Sequence, residues 1–277
     1  MANAMRAPAT DKRTGDPAYL RDLGRAFGGA LLFCLPLMMT MEMWALGHAA
    51  APERLLVFVL AALPLLYGLA HYAGFSARRG LLNNALDTWV ALGVGFVTAG
   101  GLLFLFNVLD RSSLAAATGQ VSLQAIPAAL GALVARRQLS ADTGDGDEEQ
   151  VSYPGELFLM LAGALYFAMN LAPTEEMRLI AYRATPLGTL GLLILSVALL
   201  HLIVFEAGFA GQEKQETPLR AFLDFTLPGY AICLAASVAM LWVFGGLDGH
   251  GVHSLVSNIV VLAFPAALGA AAARLLV

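Results

Sequence analysis

The chain of 277 residues has 58% hydrophobic residues, only 13% charged residues and a net charge of −4. A soluble domain carries about 25% charged residues, so this composition excludes an ordinary soluble protein. The apolar residues occur in runs of about 20, the length that a helix needs to cross a bilayer. We therefore predict an all-α polytopic membrane protein that lies in the lipid bilayer and has no nucleic-acid partner.

Eight apolar runs are predicted to be membrane-spanning helices. Their predicted bounds are 26–47, 54–75, 87–109, 114–136, 155–173, 186–209, 220–246 and 253–276. The fourth run contains Gln120 and Gln124 and is the least similar to a lipid-facing helix. Most lysines and arginines lie on the side of the two termini, so the positive-inside rule predicts that both termini are cytoplasmic.

The sequence repeats itself. Residues 28–75 align with 162–209 without a gap, so that "GALLFCLPLMMTMEM" lies over "GALYFAMNLAPTEEM". At a slightly larger offset, "PAALGA" at 127–132 recurs at 265–270. Chance matches of leucine and alanine would not readily place Thr-x-Glu-Met, Pro, Asp and Arg in step. We predict two parallel four-helix repeats, related by a quasi-twofold axis along the membrane normal.

The repeat divides the chain into four segments. They are a cytoplasmic N-terminal segment at 1–25, a first four-helix repeat at 26–139, an acidic cytoplasmic linker at 140–154 and a second four-helix repeat at 155–277. The stretch "DTGDGDEEQ" within the linker is typical of a disordered hydrophilic segment. A regulatory or ion-sensing tail is the alternative interpretation.

Two glutamates at equivalent positions are the first candidates for function. Glu42 and Glu176 each lie near the predicted outer end of a spanning helix. A charge at the bilayer centre costs about 2.5–3.5 kcal/mol on insertion scales and less near the edge, and such groups often serve function. If the two met near the axis, they would attract a cation or share a proton. The alternative is interfacial anchoring, since Trp44 and Arg178 follow closely.

Polar neighbours extend this candidate ion-binding site. The supporting residues are Thr40, Thr174, Glu175 and Asn170. Thr40 and Glu42 are about 200° apart on a regular helix, so both could line one path only if the helix is broken. Pro36 and Pro173 could break the helices and free backbone carbonyls beside a cavity. Simple proline kinking for packing is the alternative.

Other membrane-embedded polar residues could line the interior. Gln120 and Asn258 are equivalent amides, predicted to line or brace the inside of the protein; interhelical hydrogen bonding is the simpler role. His71, His201 and Glu206 lie on the predicted cytoplasmic half and are candidates for a gate or proton relay. A packed, hydrogen-bonded histidine is the simpler alternative.

No catalytic or cofactor motif is found. The sequence contains no phosphate-binding loop, dinucleotide fingerprint, nucleophile elbow or zinc-protease motif. The histidines of "HGVH" at 250–253 have no evident third ligand nearby, which argues against a metal site there. We therefore expect no cofactor and no enzyme activity.

The motifs "GALLFCLPLMMTMEMW", "PTEEM" and "PAALGA" resemble those of a bacterial family of integral membrane proteins without an established activity. The resemblance covers all eight predicted spans. It implies a bacterial origin and a location in the inner (plasma) membrane.

The preferred hypothesis is a membrane transport protein, either a cation channel or a transporter, with proton coupling as one version. Its partners would be cations or protons, and copies of the chain could associate as a homo-oligomer. A non-transporting membrane sensor or scaffold is the alternative hypothesis. An intramembrane enzyme acting on a lipid ranks last, because no spacing motif supports it.

Overall fold

The computed structural model describes residues 17–72, 80–140, 152–206 and 218–275. Within these ranges the chain is helical with short connections, and no strand occurs there. The acidic stretch 142–150 lies outside the described residues. The predicted all-α membrane class is therefore confirmed for the part of the chain that carries the apolar runs.

The described helices are numbered in chain order, with a π-helical turn between α9 and α10. They are α1 (Pro17–Met38), α2 (Met41–Ala49), α3 (Pro52–Tyr72), α4 (Leu81–Leu105), α5 (Leu114–Ser140), α6 (Tyr153–Leu171), α7 (Glu175–Arg183), α8 (Pro186–Glu206), α9 (Pro218–Ala221), the π turn (Phe222–Thr226), α10 (Leu227–Val243) and α11 (Val252–Leu275). Seven helical segments could cross a membrane, and the bent pair α1–α2 makes an eighth if it counts as one span.

The first predicted span, 26–47, is not one helix. Helix α1 ends at Met38, and α2 leaves it at an angle of 92°. Pro36 lies in the last turn of α1, where its missing N–H weakens the helix. Thr40 then adopts an extended conformation with φ −102° and ψ 128°, which ends α1 and begins α2. The break that the ion-site hypothesis required is therefore present.

A similar break separates α6 from α7. Helix α6 ends at Leu171, near the predicted end of the fifth span, and α7 begins at Glu175. The apolar pattern did not predict α7 as a separate helix, because this short segment carries two glutamates and two arginines.

Two glycine pairs allow close contacts between long helices. Helix α1 packs on α5 through Gly29 and Gly131, and α6 packs on α11 through Gly163 and Gly269. A Cβ atom on any of these glycines would collide with the carbonyl oxygen of its partner. Gly131 and Gly269 are the glycines of the two "PAALGA" motifs, so these motifs bring helix backbones together within the chain, as small residues do in membranes.

The two halves of the chain meet in a one-sided contact. Helix α3 of the first half packs on α6 and α10 of the second half, and the ring of Phe33 on α1 lies 4.4 Å from that of Tyr166 on α6. At one end of α3, Gly68 faces the ring of Phe158. At the other end, the guanidinium of Arg54 binds the carboxylate of Asp248 at 2.8 Å and the carbonyl oxygen of Trp242 at 3.1 Å. Helix α8, the counterpart of α3, packs mainly on elements of its own half.

Candidate functional site

The repeated Thr-x-Glu-Met motif begins the short helices α2 and α7. Thr40 and Thr174 are the N-cap residues, and each hydroxyl donates a hydrogen bond of 2.8 Å to the carbonyl three residues before it. The Thr174 hydroxyl also accepts a hydrogen bond of 3.4 Å from the backbone N–H of Met177. Both threonine hydroxyls thus bond the end of the preceding helix, and that of Thr174 also caps its short helix.

The glutamate and the methionine of the motif follow the threonine in the first turn of each short helix. Met43 and Met177 are buried and fix the short helices to the core. Glu42 and Glu176 lie in the first turns, where the helix dipole stabilises a negative charge. Glu42 is half-buried, and Glu176 is exposed beside the exposed Glu175. The spacing thus has a local structural cause in both repeats.

The structure does not link the two glutamates directly. No hydrogen bond or ion pair joins Glu42 to Glu176 among the described residues. Helix α2 packs on α5, whereas α7 packs on α11. Asn170 is half-buried and donates a hydrogen bond of 2.7 Å to the carbonyl of Tyr166 in its own helix.

Gln120 joins three segments of the first half. Its amide oxygen accepts a hydrogen bond of 2.8 Å from the backbone N–H of Asp110. Its amide nitrogen donates to the carbonyl oxygens of Trp44 at 3.2 Å and Val108 at 3.3 Å. The side chain is 1% exposed. These contacts join α5 to α2 and to the connection between α4 and α5.

In the second half, the polar contact is made one residue before Asn258, the position equivalent to Gln120. Asn258 is buried on α11. The adjacent Ser257 hydroxyl lies 3.3 Å from the hydroxyl of Thr189 on α8. The two halves therefore hold similar helices with different polar contacts.

A buried ion pair lies at the end of the bundle where α6 begins and α11 ends. A guanidinium nitrogen of Arg274 is 2.9 Å from a carboxylate oxygen of Glu156, and the two side chains are only 6% and 12% exposed. The guanidinium carbon of Arg274 also lies 3.8 Å from the ring centre of Phe225. We call Glu156, Arg274 and Phe225 the ion-pair cluster.

The π turn joins this cluster to a histidine. Phe225 belongs to the π turn, whose last residue, Thr226, lies with its hydroxyl 2.9 Å from Nδ1 of His201. The ring of His201 also meets Phe222 edge-on, with centres 5.5 Å apart. Tyr153 donates a hydrogen bond of 2.7 Å to the backbone carbonyl of Asp224 in the same turn. Single π-helical turns inside longer helices are frequent at functional sites.

The other two predicted relay residues are His71 and Glu206. His71 is exposed on α3, and its Nδ1 is 3.1 Å from the amide nitrogen of Asn84 on α4. The backbone of Glu206 ends α8, but its side chain lies outside the described part of the structure. Of the three relay candidates, His201 is the one that contacts the π turn.

Sequence reasoning missed the pairing of Glu156 with Arg274, although the repeat contained a signal. At the repeat offsets, Asp22 corresponds to Glu156 and Arg136 to Arg274. Each half therefore begins its first helix with an acid and ends its last helix with an arginine. In the first half, Asp22 contacts Arg25 at 3.5 Å.

No group of three or more histidine, cysteine, aspartate or glutamate residues that could hold a metal occurs among the described residues. The arrangement is therefore built from hydrogen bonds and one buried ion pair. Groups of this kind can carry or exchange protons and attract ions inside a membrane.

A family model described as "Putative integral membrane protein (DUF2391)" matches residues 22–277. The chain belongs to this family. The match begins at Asp22 and spans both glutamate motifs and the ion-pair cluster, in agreement with the resemblance inferred from the sequence. Among curated proteins and among solved structures, no match to the chain is found. Membership of the DUF2391 family establishes an integral membrane protein and brings no activity with it.

Proposed function

We propose that this DUF2391 protein is a membrane transport protein that moves protons or small cations. The observation that carries the proposal is the buried pair of Glu156 and Arg274. Removing two charges from water is costly, and an apolar pair of similar volume is often equally stable or more stable. A pair retained in an apolar bundle therefore favours a role beyond packing.

The surroundings of the pair support proton or ion exchange. Arg274 holds the carboxylate of Glu156 from one side and lies on the aromatic face of Phe225. Phe225 and Thr226 belong to the same π turn, and Thr226 contacts His201. A small movement of this turn would change the environment of both titratable side chains, Glu156 and His201.

Glu42 and Glu176 have a second role in this proposal, at the opposite end of the bundle. Each sits in the first turn of a short helix, with its negative charge stabilised there. The two carboxylates would raise the local cation concentration at the entrance. We further propose that both termini are cytoplasmic, that the membrane is the bacterial inner membrane and that the two halves arose by parallel duplication.

The test is ion flux in proteoliposomes that contain the full chain. Glu156→Gln should reduce flux at least tenfold, because the amide cannot ionise or hold Arg274 as strongly. The double variant Glu42→Gln, Glu176→Gln should reduce flux at low cation concentration and less at high concentration. Tyr182→Phe is the matched control, since Tyr182 is 83% exposed on the same short helix as Glu176 and removing its hydroxyl leaves the charge unchanged.

Native flux in Glu156→Gln would remove the ion-pair cluster from the mechanism. Native flux of the double variant at every cation concentration would remove the two outer glutamates. These two results are independent, so each part of the proposal can fail alone.

A sensor or scaffold without transport is the second candidate function. The observation in its favour is the direct backbone contact at Gly29–Gly131 and Gly163–Gly269, which makes a tightly packed bundle. This candidate predicts no flux of protons, monovalent or divalent cations from the native protein. It also predicts that Glu156→Gln changes only thermal stability.

A further inference from the structure

The contact between the two halves uses one face of each half and leaves the equivalent faces open. Helix α3 docks on the surface that α6 and α10 form together. Under the repeat offset, α8 corresponds to α3, while α1 and α4 correspond to α6 and α10. A twofold arrangement would therefore also place α8 on α1 and α4 within the same chain.

The side chains show that this second contact is not made within the chain. Gly68 of α3 faces Phe158 of α6, and their counterparts are Leu202 and Gly24. Leu202 is 55% exposed. A Cβ atom added at Gly24 would have nothing within 4 Å. Both partners of the missing contact are thus uncovered.

The same difference extends along α1 and onto α4. Leu32 of α1 is 71% exposed, whereas its counterpart Tyr166 of α6 is half-buried, and its ring lies against that of Phe33 of α1 with ring centres 4.4 Å apart and planes tilted by 43°. Phe104 of α4 is 56% exposed, against 37% for its counterpart Trp242, whose backbone carbonyl accepts the hydrogen bond from Arg54. We call the surface formed by Gly24, Leu32 and Phe104 the α1–α4 face.

The two open surfaces are complementary in volume at the position where the internal contact can be compared. Within the chain, Phe158 of α6 packs against Gly68 of α3. In the open pair, Leu202 of α8 would instead pack against Gly24 of α1. The large and small residues have exchanged sides, so each pair still joins one large and one small residue.

We infer that copies of this chain associate side by side in the membrane, with α8 of one copy on the α1–α4 face of the next. The occupant is a second copy because the covered half of this chain already shows which helix fits a face of this kind. The contact is heterologous, since different surfaces meet. Heterologous contacts form a ring when the rotation closes.

Cysteine crosslinking in membranes tests this contact. Chains with Cys34 and Cys233 replaced by alanine would carry Gly24→Cys on one tagged copy and Leu202→Cys on a second, differently tagged copy. Oxidation should give a covalent dimer that carries both tags. Within one chain, the pair Gly95→Cys, Ala129→Cys, with Cβ atoms about 3.1 Å apart, should close without a dimer, which confirms that the oxidant acts within the membrane.

Leu223→Cys is the matched control for Leu202→Cys. Leu223 is 52% exposed and lies at the same end of the bundle, but it belongs to the π turn rather than to α8. It should give at most one tenth of the dimer obtained with Leu202→Cys. Equal yields from Leu202→Cys and Leu223→Cys, or no dimer from Leu202→Cys while the internal pair closes, would overturn the inference and leave lipid as the covering of both faces.

Gly24→Phe is a second variant that does not depend on oxidation. Its ring would fill the groove as Phe158 does in the second half, while no atom of the same chain lies near enough to clash at Cβ. The monomer should fold normally, and co-purification of differently tagged copies should fall at least tenfold. Unchanged co-purification would contradict the proposed contact.

Discussion

At the scale of single residues, polar side chains in this bundle serve two purposes. Thr40, Thr174 and Gln120 satisfy backbone groups where helices begin or break. Glu156 and Arg274 instead satisfy one another inside an apolar environment. The first purpose gives both threonines of the Thr-x-Glu-Met motif a local role, and the second has no equally simple structural reason.

Gln120→Leu should destabilise the protein by about 1–3 kcal/mol, because it removes the hydrogen bonds to three backbone groups, those of Trp44, Val108 and Asp110. Gln124→Leu, one turn away, is the control. Both amide atoms of Gln124 are buried without a hydrogen-bond partner, and Leu262 occupies the equivalent position of the second half. Thermal unfolding in detergent would compare the two, and equal destabilisation would contradict the bracing role of Gln120.

At the scale of helices, close packing is set by glycine rather than by polar contacts. The pairs Gly29–Gly131 and Gly163–Gly269 bring α1 onto α5 and α6 onto α11. Helix association in membranes depends on such packing because lipid tails are as apolar as leucine. A change as small as one methyl group should therefore separate these helices.

Gly29→Ala should lower the thermal stability of the protein clearly, since its Cβ would strike the backbone of Gly131 on α5. Overpacking of this kind typically costs about 1–3 kcal/mol. The adjacent Gly28→Ala is the control, because a Cβ atom there would meet nothing within 4 Å. If both variants unfold at the same temperature as the native protein, the glycine contact does not determine the packing of α1 on α5.

The sequence predicted the helices better than it predicted their partners. Hydrophobic runs located the spans to within several residues, and Pro36 indicated the break before Thr40. The short helix α7 was missed because its polar residues interrupt the apolar pattern. The pair Glu156–Arg274 was missed because its members lie more than a hundred residues apart, and only helix packing brings them together.

At the scale of the whole molecule, the ion pair of Arg54 and Asp248 links the first half of the chain to the second. Both guanidinium nitrogens take part, with distances of 2.8 and 3.0 Å to the two carboxylate oxygens. The hydrogen bond from Arg54 lowers the pKa of Asp248 below its ordinary value. The charged form of Asp248 is therefore the one that favours docking of the halves.

Because of this contact, the stability of the protein should fall at acid pH. Because the pKa of Asp248 is lowered on folding, its contribution is complete above the ordinary pKa of an aspartate and is lost as the pH falls through the lowered value. The variant Asp248→Asn should lack this loss of thermal stability at acid pH. An identical acid dependence in native protein and variant would show that Asp248 does not fasten the halves.

Replacement of the buried ion pair by apolar side chains tests the account most directly. The double variant Glu156→Leu, Arg274→Met should keep its fold and thermal stability, because a well-packed apolar pair can replace a buried ion pair without loss. Proton and cation flux should be measured in proteoliposomes beside the native protein. We predict that the stable double variant has lost flux at least tenfold; a stable double variant with native flux would contradict the proposal that this pair serves transport.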